Sequence, residues 1–538
     1  MTWENTVTGN PITLDPGSVD LPQLEAVAHG SGCELSEPAM VRVNVSHRRL
    51  ERYLDENRRI YGVTTGYGPL ANTMVGRDHA QALQRNLVAH LSSGVGAPLE
   101  RDQTRATMAA RATALGLGHS GVSPEAIKLL LQCLNADAIP VVPSMGTVGA
   151  SGDLTPLAHI AGALMGEGEM CHRNGPPEPA AEVLSRLGFE PFTPGGKDAL
   201  ALVNGTSAMT GIAGLNGMLA ERALKWSCLI TAAHGQALNH HQEAWHPAFG
   251  AVRPHGGQQR LHRWLNALDD PDGDAPPTDA ETIAESTLEQ LEQPIQDPYS
   301  IRCAPQLLGA VSDQLDWHNQ VVTTELNSVT DNPILPDEVD GVLHGGNFYG
   351  QHVAFASDAL ANAVITMGVH AERRIARLSN PRLNQGLPAF LQAEKNGLQS
   401  GFMGAQVTAS ALLAEMRTQA TPASIQSIPT NGDNQDVVTM GTIGARRTHH
   451  LMGLLFRLLA IDALMATQAL ELRAASSGAD GASKAIAGLC AWVRRHAPPL
   501  KDDRALSREI EVTAEAMRQP RTLVDAMPEM ADHGALTS

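Results

Sequence analysis

The chain has 538 residues and a mass of 57.0 kDa, which predicts two or three packed regions or one large helical body. Apolar residues make up 43% and charged residues 18%, a balance that argues against wholesale disorder. The formal net charge is −18 and no basic block occurs, which argues against nucleic acid or an anionic membrane as a partner.

Two further features concern the compartment. The first residues carry neither a basic region nor an apolar region of a signal peptide, and the six cysteines form no C-x-x-C pair. Reduced thiols and a cytoplasmic location are therefore expected. The longest apolar stretch, 451–466, is interrupted by Arg457 and Asp462, which predicts a buried helix and not a membrane span.

The first half of the chain alternates helical periodicity with breaks rich in glycine and proline. Helices are predicted over 21–60, 78–93, 101–117 and 157–168. The breaks fall at 61–68, 146–156 and 172–196, and the last of them is predicted to be a surface excursion.

The second half is different in character. The segment 268–298 is acidic and interrupted by proline, which predicts a mobile loop or lid. Beyond it, long segments rich in alanine and leucine have a period of 3.6 residues and predict a helical bundle. These segments are 306–328, 350–378, 403–420 and 436–474.

The segment GTVGASGDLTP at 146–156 has neither a P-loop lysine nor a G-x-S-x-G pattern, so phosphate binding and a hydrolase elbow are not supported. A flexible turn is one interpretation. The other is chemical, because the unhindered nitrogen of Gly152 can attack the carbonyl of Ala150 if the chain bends sharply. Loss of the Ser151 hydroxyl as water would then leave a ring with an exocyclic methylene, an electrophile that no side chain offers.

Eight segments in this order resemble the aromatic amino acid ammonia-lyase/aminomutase family, over about residues 20–530. The resemblance implies a methylidene-imidazolone (MIO) group formed from Ala150, Ser151 and Gly152, with no external cofactor and no metal. The segments are YGVTTGYG, GTVGASGDLTPLAH, ALVNGTS, YSIRCAPQ, TDNP, HGGNFYGQ, GFMGAQ and NGDNQDVV.

The family's reaction eliminates ammonia across Cα–Cβ of an amino acid, and the resemblance implies a role for each matched residue. Tyr61 would take the β-proton, and Arg302 would bind the substrate carboxylate. Without the resemblance, a loop aromatic, a surface ion pair, and turns or caps are the ordinary interpretations. The other matched residues are Asn204 and Tyr299 around the MIO and the amine, Gln306 and Asn332 at the carboxylate, Phe348 near the ring, and Asn434 and Gln435.

The substrate side chain is predicted from LQRNLVAHLSSGVG at 83–96, where His90 and Leu91 resemble the pair found in tyrosine ammonia-lyases. An imidazole can exchange a hydrogen bond with a para-hydroxyl group. Histidine-specific members place histidine at the position of Leu91 and glutamate at that of Gln435. Plant-type phenylalanine-specific members place lysine at the position of Met403.

The resemblance implies a mainly α, phenylalanine/histidine ammonia-lyase-like fold with a central bundle of long helices. We expect an MIO-containing region at 1–215, the bundle at 216–475 and a C-terminal helical region at 476–538. We also expect a homotetramer whose active sites combine residues of different chains. The predicted reaction converts L-tyrosine into trans-p-coumarate. The alternatives are a tyrosine 2,3-aminomutase giving β-tyrosine, a phenylalanine or histidine ammonia-lyase, and a non-catalytic helical scaffold.

Overall fold

The computed structural model describes residues 11–269, 295–394, 397–477, 482–520 and 522–523. Most of the segment predicted as a mobile loop or lid, 268–298, lies outside these residues. Eighteen α-helices and seven short β-strands form in the described part of the chain, which confirms the mainly α prediction.

The elements of the first part of the chain are short. In chain order they are β1 (Ile12–Leu14), α1 (Leu21–Ala28), β2 (Cys33–Leu35), α2 (Glu37–Asp55), α3 (Ala80–Leu91), β3 (Val95–Pro98), α4 (Arg101–Gly116), α5 (Pro124–Asn135), β4 (Ala138–Pro140), β5 (Pro143–Met145), α6 (Leu154–Leu164), β6 (Glu169–His172), β7 (Pro177–Pro179), α7 (Ala180–Leu187) and α8 (Asp198–Val203).

Long helices dominate the rest of the chain. They and the shorter helices between them are α9 (Ser207–Ala237), α10 (Ala248–Val252), α11 (Gly256–Asp269), α12 (Tyr299–Arg302), α13 (Ala304–Leu326), α14 (Gln351–Ser379), α15 (Met403–Thr418), α16 (Gly441–Ser477), α17 (Lys484–His496) and α18 (Ser507–Arg518). The four long segments predicted from periodicity are confirmed as α13 to α16.

The described residues divide into two compact units, each built from three separate segments. The first unit runs to Met218 and adds Trp317–Ala359 and Pro422–His449. The second comprises the described residues of Leu219–Asp316, of Leu360–Thr421 and from His450 onward. These boundaries differ from those of the three consecutive regions, 1–215, 216–475 and 476–538, which stay a prediction.

The first unit packs its core around α4, where every residue from Gln103 to Gly116 is buried. Strand β1 pairs with β2 in parallel, β3 pairs with β5, and β4, β6 and β7 form an antiparallel sheet. The segment 172–196, predicted to be a surface excursion, is mostly exposed or of intermediate exposure, but it also contains β7 of this sheet and α7, which buries Val183 and Leu184. Strand β7 pairs with β6, which lies just before it in the chain, and the Pro/Gly-rich composition of the segment did not reveal this short pairing.

The second unit is an all-helical body around the second part of α16. The residues of the apolar stretch 451–466 are buried except for Gly453 and Arg457, which are of intermediate exposure, and this confirms the prediction of a buried helix. Among the described residues, two helices, α14 and α16, are long and apolar enough to cross a membrane, but 83% of the apolar window of α16 is buried inside the protein. The core helix of a soluble protein passes the same test of length and composition.

Candidate active site

The tripeptide Ala150–Ser151–Gly152 lies in the first unit, immediately before α6. The backbone bends so sharply there that Ala150 and Gly152 pair with each other across Ser151. Gly152 has a φ of +69°, and a Cβ on it would collide with the carbonyl oxygen of Gly205. Only glycine therefore fits at this position, and its nitrogen is free of the steric shield that a side chain imposes.

Two amide side chains contact Ser151. Asn204 Nδ2 donates to the Ser151 carbonyl oxygen over 3.1 Å, and Gln435 Nε2 donates to Ser151 Oγ over 3.2 Å. Asn204 follows α8 directly, and Gln435 is itself fixed because its Oε1 accepts from Thr430 Oγ1 at 2.7 Å. The structure thus brings Asn204 and Gln435, two of the predicted site residues, to Ser151, which is a third.

Asp153 occupies the N-cap position of α6, but its carboxylate makes no cap there. It accepts instead from the backbone N–H of Met209 in the first turn of α9, at 2.8 Å, and from the hydroxyl of Thr442. Burial raises the pKa of Asp153 to about 6, although these hydrogen bonds oppose the shift. The backbone N–H of Asp153 donates to the Gly205 carbonyl oxygen at 2.7 Å, so this residue ties the tripeptide to the start of α9.

Tyr61 lies in a turn of the first unit and is held at both ends. Its backbone N–H donates to His344 Nε2 at 3.1 Å, and its Oη accepts the backbone N–H of Gly68 at 2.8 Å. A Cβ built on Gly68 would lie 3.9 Å from Asn434 Oδ1, so the segment containing Asn434 adjoins this turn. The predicted base therefore has a fixed ring and a hydrogen-bond donor at its oxygen.

The neighbouring Tyr67 is not suited to be the base. Its ring meets that of Tyr61 edge-on, with centroids 6.3 Å apart, and its Oη accepts from Gln84 Nε2 at 2.9 Å. Burial, together with the proximity of Tyr61, raises the pKa of the Tyr67 phenol far above its usual value. Tyr67 is consequently a neutral packing partner, and Gln84 also binds the Gly62 carbonyl oxygen and so stabilises the turn.

Asn332 is connected to the turn through the segment 344–345. Its Oδ1 accepts the backbone N–H of Gly345 at 2.6 Å, next to the His344 that binds Tyr61. Phe348 lies half-buried further along the same loop. His344 and Gln84 were not singled out from the sequence, although His344 begins the segment HGGNFYGQ and Gln84 lies in LQRNLVAHLSSGVG.

A buried ion pair anchors the backbone before Asn332. Lys197 Nζ lies 2.5 Å from Asp331 Oδ2, and neither side chain is more than 3% exposed. Asp331 also accepts from the Ser120 hydroxyl and, at 2.7 Å, from the backbone N–H of Asn332. The ion pair therefore fixes the position of the Asn332 backbone, from which the Asn332 side chain extends.

We expect Lys197→Met to lower the free energy of unfolding by about 3–5 kcal/mol, because Asp331 would stay buried without its cation. Denaturant unfolding followed by circular dichroism measures this loss. The matched control is Lys225→Met, whose salt bridge to Glu221 is more exposed and should contribute at most about 1 kcal/mol. Equal losses in the two variants would contradict the role given to the buried pair.

His90 and Leu91 end α3. His90 is exposed, and its Nδ1 lies 2.9 Å from the Asn86 carbonyl oxygen one turn earlier. A carbonyl oxygen only accepts, so Nδ1 carries a proton and, in the neutral ring, Nε2 is left as an acceptor. Just beyond α3, the backbone N–H of Gly94 donates to His159 Nε2 on α6, at 3.2 Å. The end of α3 therefore adjoins the helix that follows the tripeptide.

Tyr299, Arg302 and Gln306 belong to the second unit. The Arg302 guanidinium lies over the Tyr299 ring, 4.6 Å from its centroid, and Tyr299 is 71% exposed. Gln306 Nε2 lies 3.3 Å from His262 Nε2. Among the described residues, the buried Arg302 Nε and Gln306 Oε1 find no hydrogen-bond partner, which leaves polar atoms for a ligand.

The tripeptide fits the ring inferred from the sequence. The sharp bend brings the flanking residues together, the glycine requirement at 152 is steric, and Asn204 already binds the carbonyl oxygen of Ser151. Asn204 Oδ1 is buried and has no hydrogen-bond partner within the described ranges, so the same amide can also accept a hydrogen bond.

The comparisons with known proteins agree with this arrangement. A family profile described as "Aromatic amino acid lyase" matches residues 19–495. The chain is 48% identical to a tyrosine ammonia-lyase of Cereibacter sphaeroides, over 93% of this chain and 96% of that protein. It is 41% identical to a tyrosine ammonia-lyase of Cupriavidus metallidurans, over 95% and 96% of the two chains.

Among solved structures, the fold is similar to that of a tyrosine aminomutase from Streptomyces globisporus. The TM-score is 0.90 at 36% identity, and the match covers 97% of this chain and 99% of that one. The similarity extends over the whole architecture, so the predicted ammonia-lyase-like fold is confirmed.

Proposed function

Because the chain belongs to the aromatic amino acid lyase family, whose members cleave carbon–nitrogen bonds and in general depend on MIO, we propose that it converts L-tyrosine into trans-p-coumarate and ammonia. The observation that carries the proposal is the tripeptide bend, with Asn204 and Gln435 both bonded to Ser151. The test is to incubate the purified enzyme with L-tyrosine and follow the ultraviolet absorbance of the arylacrylate. Absence of that product would contradict the proposal.

Ala150, Ser151 and Gly152 would form the MIO. The Gly152 nitrogen bonds to the carbonyl carbon of Ala150, whose oxygen leaves as water, and Ser151 loses its hydroxyl and its α-hydrogen as a second water. Once formed, the MIO supplies an electrophile for the substrate amine, which otherwise leaves poorly. Asn204 and Gln435 orient Ser151 for this chemistry.

The chain's own residues perform the rest of the proposed reaction. Tyr61 Oη removes the β-proton, and the N–H of Gly68 stabilises the negative charge that this oxygen carries before it accepts the proton. Arg302 binds the substrate carboxylate through its guanidinium, while Gln306 and Asn332 contribute amides near the same group. Tyr299, like Asn204, would form hydrogen bonds around the MIO and the amine, and Phe348 would place an aromatic ring near the MIO.

Selection of tyrosine rests on the orientation of His90. Because its Nδ1 is bonded to the Asn86 carbonyl oxygen, Nε2 is the nitrogen left to accept the hydrogen bond of a para-hydroxyl group. Leu91 offers only apolar contact beside it. A site that pairs with a hydroxyl rejects the analogue that lacks one, because its own acceptor would be left unsatisfied.

We expect His90→Phe to reverse the preference between tyrosine and phenylalanine. The value of kcat/KM for L-tyrosine should fall by about 100-fold and that for L-phenylalanine should rise by about 10-fold. Product formation from each amino acid measures the change. The control is His79→Phe at the exposed start of α3, which should leave the preference unaltered. An unchanged ratio in His90→Phe would remove the specificity argument.

A tyrosine 2,3-aminomutase is the second candidate, favoured by the structural similarity to a tyrosine aminomutase. The two activities share the elimination step and differ in whether the amine returns to Cβ. Chromatography of the products separates them, because β-tyrosine is a mutase product and accumulated trans-p-coumarate is a lyase product. We further propose that the protein is a cytoplasmic homotetramer whose active sites are completed by residues of more than one chain. Light scattering would test the mass of this assembly.

A further inference from the structure

Helix α12, which contains Tyr299 and Arg302, spans only Tyr299–Arg302, and side chains bind the carbonyl groups of Ser300 and Ile301 within it. Two buried side chains of the second unit bind them. His370 Nε2 lies 2.8 Å from the Ser300 carbonyl oxygen, and Trp245 Nε1 donates to the Ile301 carbonyl oxygen at 2.9 Å. The backbone that carries Arg302 is thus held at two consecutive residues.

The hydrogen bond from His370 has a fixed direction. Arg374 Nη1, one turn later on α14, donates to His370 Nδ1 at 2.7 Å, and a guanidinium can only donate. Nδ1 is therefore the acceptor, and the ring proton lies on Nε2, where it reaches the Ser300 carbonyl oxygen. The Arg374 guanidinium is in turn held by Asp462, whose Oδ2 accepts from Nη2 at 2.5 Å and from Nε at 3.0 Å.

His370 stays neutral in this network. Burial and the adjacent Arg374 lower its pKa to about 3, while Asp462 and the Ser300 carbonyl oppose the shift. Asp462 also binds His234 Nε2 at 2.6 Å, so both of its oxygens are occupied. His370, Arg374 and Asp462 are each at most 2% exposed, and a relay buried to this degree has few alternative arrangements.

Trp245 is fixed independently. Its backbone carbonyl oxygen lies 3.1 Å from His262 Nδ1, and its ring contacts that of His240 at an angle of 36°, with centroids 4.0 Å apart. Because His262 Nδ1 donates to this carbonyl, the neutral His262 accepts the Gln306 amide N–H at Nε2. One arrangement therefore positions both Gln306 and the backbone of Arg302.

We propose that Trp245 and His370 are positioning residues for substrate carboxylate binding, because together they fix the backbone from which Arg302 extends. This proposal rests on the proposed function, in which Arg302 binds the carboxylate. Neither residue contacts substrate in this scheme. Loss of either hydrogen bond should weaken recognition of the carboxylate more than it slows the chemical step.

The test compares Trp245→Phe with Trp226→Phe. Each variant removes one hydrogen bond from a buried indole N–H to a backbone carbonyl oxygen in the second unit. Trp226 Nε1 donates to the Met517 carbonyl oxygen at 3.1 Å, and this hydrogen bond does not involve α12. Trp245→Phe should raise KM for L-tyrosine about fivefold or more, with kcat changed less than about twofold. Trp226→Phe should leave both within about twofold, with a comparable loss in thermal midpoint.

Competitive inhibition adds a measurement that general destabilisation would not reproduce. The inhibition constant of trans-p-coumarate, which has a carboxylate, should rise in Trp245→Phe in parallel with KM. That of 4-vinylphenol, which has none, should stay unchanged. Equal weakening of both inhibitors, or an equal effect of Trp226→Phe, would overturn the proposal. If the wild type forms no arylacrylate from L-tyrosine, the proposed function fails instead.

A second pair of variants covers the possibility that one of them does not fold. His370→Gln keeps an N–H for the Ser300 carbonyl and an oxygen for Arg374, whereas His370→Leu keeps neither. We expect KM within about twofold of the wild type for His370→Gln and at least about fivefold higher for His370→Leu. The absence of any rescue by glutamine in a folded protein would count against the relay.

Discussion

Ser151→Ala should abolish both the modified mass of the protein and its activity. The wild type is expected to weigh about 36 Da less than its sequence predicts, because ring formation releases two waters. Alanine has no hydroxyl to lose, so the exocyclic methylene cannot form and the site lacks an electrophile for the amine. We expect turnover of L-tyrosine to fall at least about 1,000-fold, since no side chain replaces this chemistry.

Intact-mass spectrometry and activity on the same samples make the test decisive. The control is Ser144→Ala in β5, seven residues earlier, which should keep both the mass deficit and the activity. Full turnover in Ser151→Ala would refute the MIO assignment. A wild-type mass that equals the sequence mass would favour the alternative of a non-catalytic helical scaffold.

Tyr61→Phe should lower kcat about 1,000-fold while leaving the mass deficit intact. The phenol oxygen is the proposed base, and the variant keeps the ring and the backbone hydrogen bond to His344. Because KM depends on other groups, it should change much less than kcat. Steady-state kinetics together with intact mass separates loss of the base from loss of the electrophile.

Tyr67→Phe is the matched comparison for Tyr61→Phe. It removes a phenol oxygen from the same turn, but this oxygen only accepts from Gln84. We expect kcat to fall less than about 10-fold, through a less rigid turn. If the two variants lost activity equally, Tyr61 would not be distinguished as the base.

Local sequence pattern sufficed for the features that depend on neighbouring residues. The 3.6-residue period predicted α14 and α16 because each helix buries a continuous apolar face. The Gly-rich character of 146–156 likewise indicated a sharp bend, which the structure contains at Ser151. The candidate residues followed from motifs, and the structure brings Asn204 and Gln435 to Ser151.

Features that depend on distant partners could not be predicted in this way. Asp153 occupies the N-cap position of its own helix, yet its carboxylate binds the start of α9, 56 residues later. Strand β4 pairs with β6, which follows it in the chain only after β5 and α6. His344 and His370 bind backbone groups 283 and 70 residues away, and no local periodicity marks such contacts.

The location of the tripeptide's contacts has a consequence for the enzyme's biosynthesis. Asn204, Gly205, Gln435 and the Asp153 partners Met209 and Thr442 all belong to the unit that contains Ser151. These contacts to the tripeptide and to Asp153 therefore all come from a single copy of the chain. We expect newly made subunits to mature before they assemble, so that a dissociated monomer already has the full loss of mass.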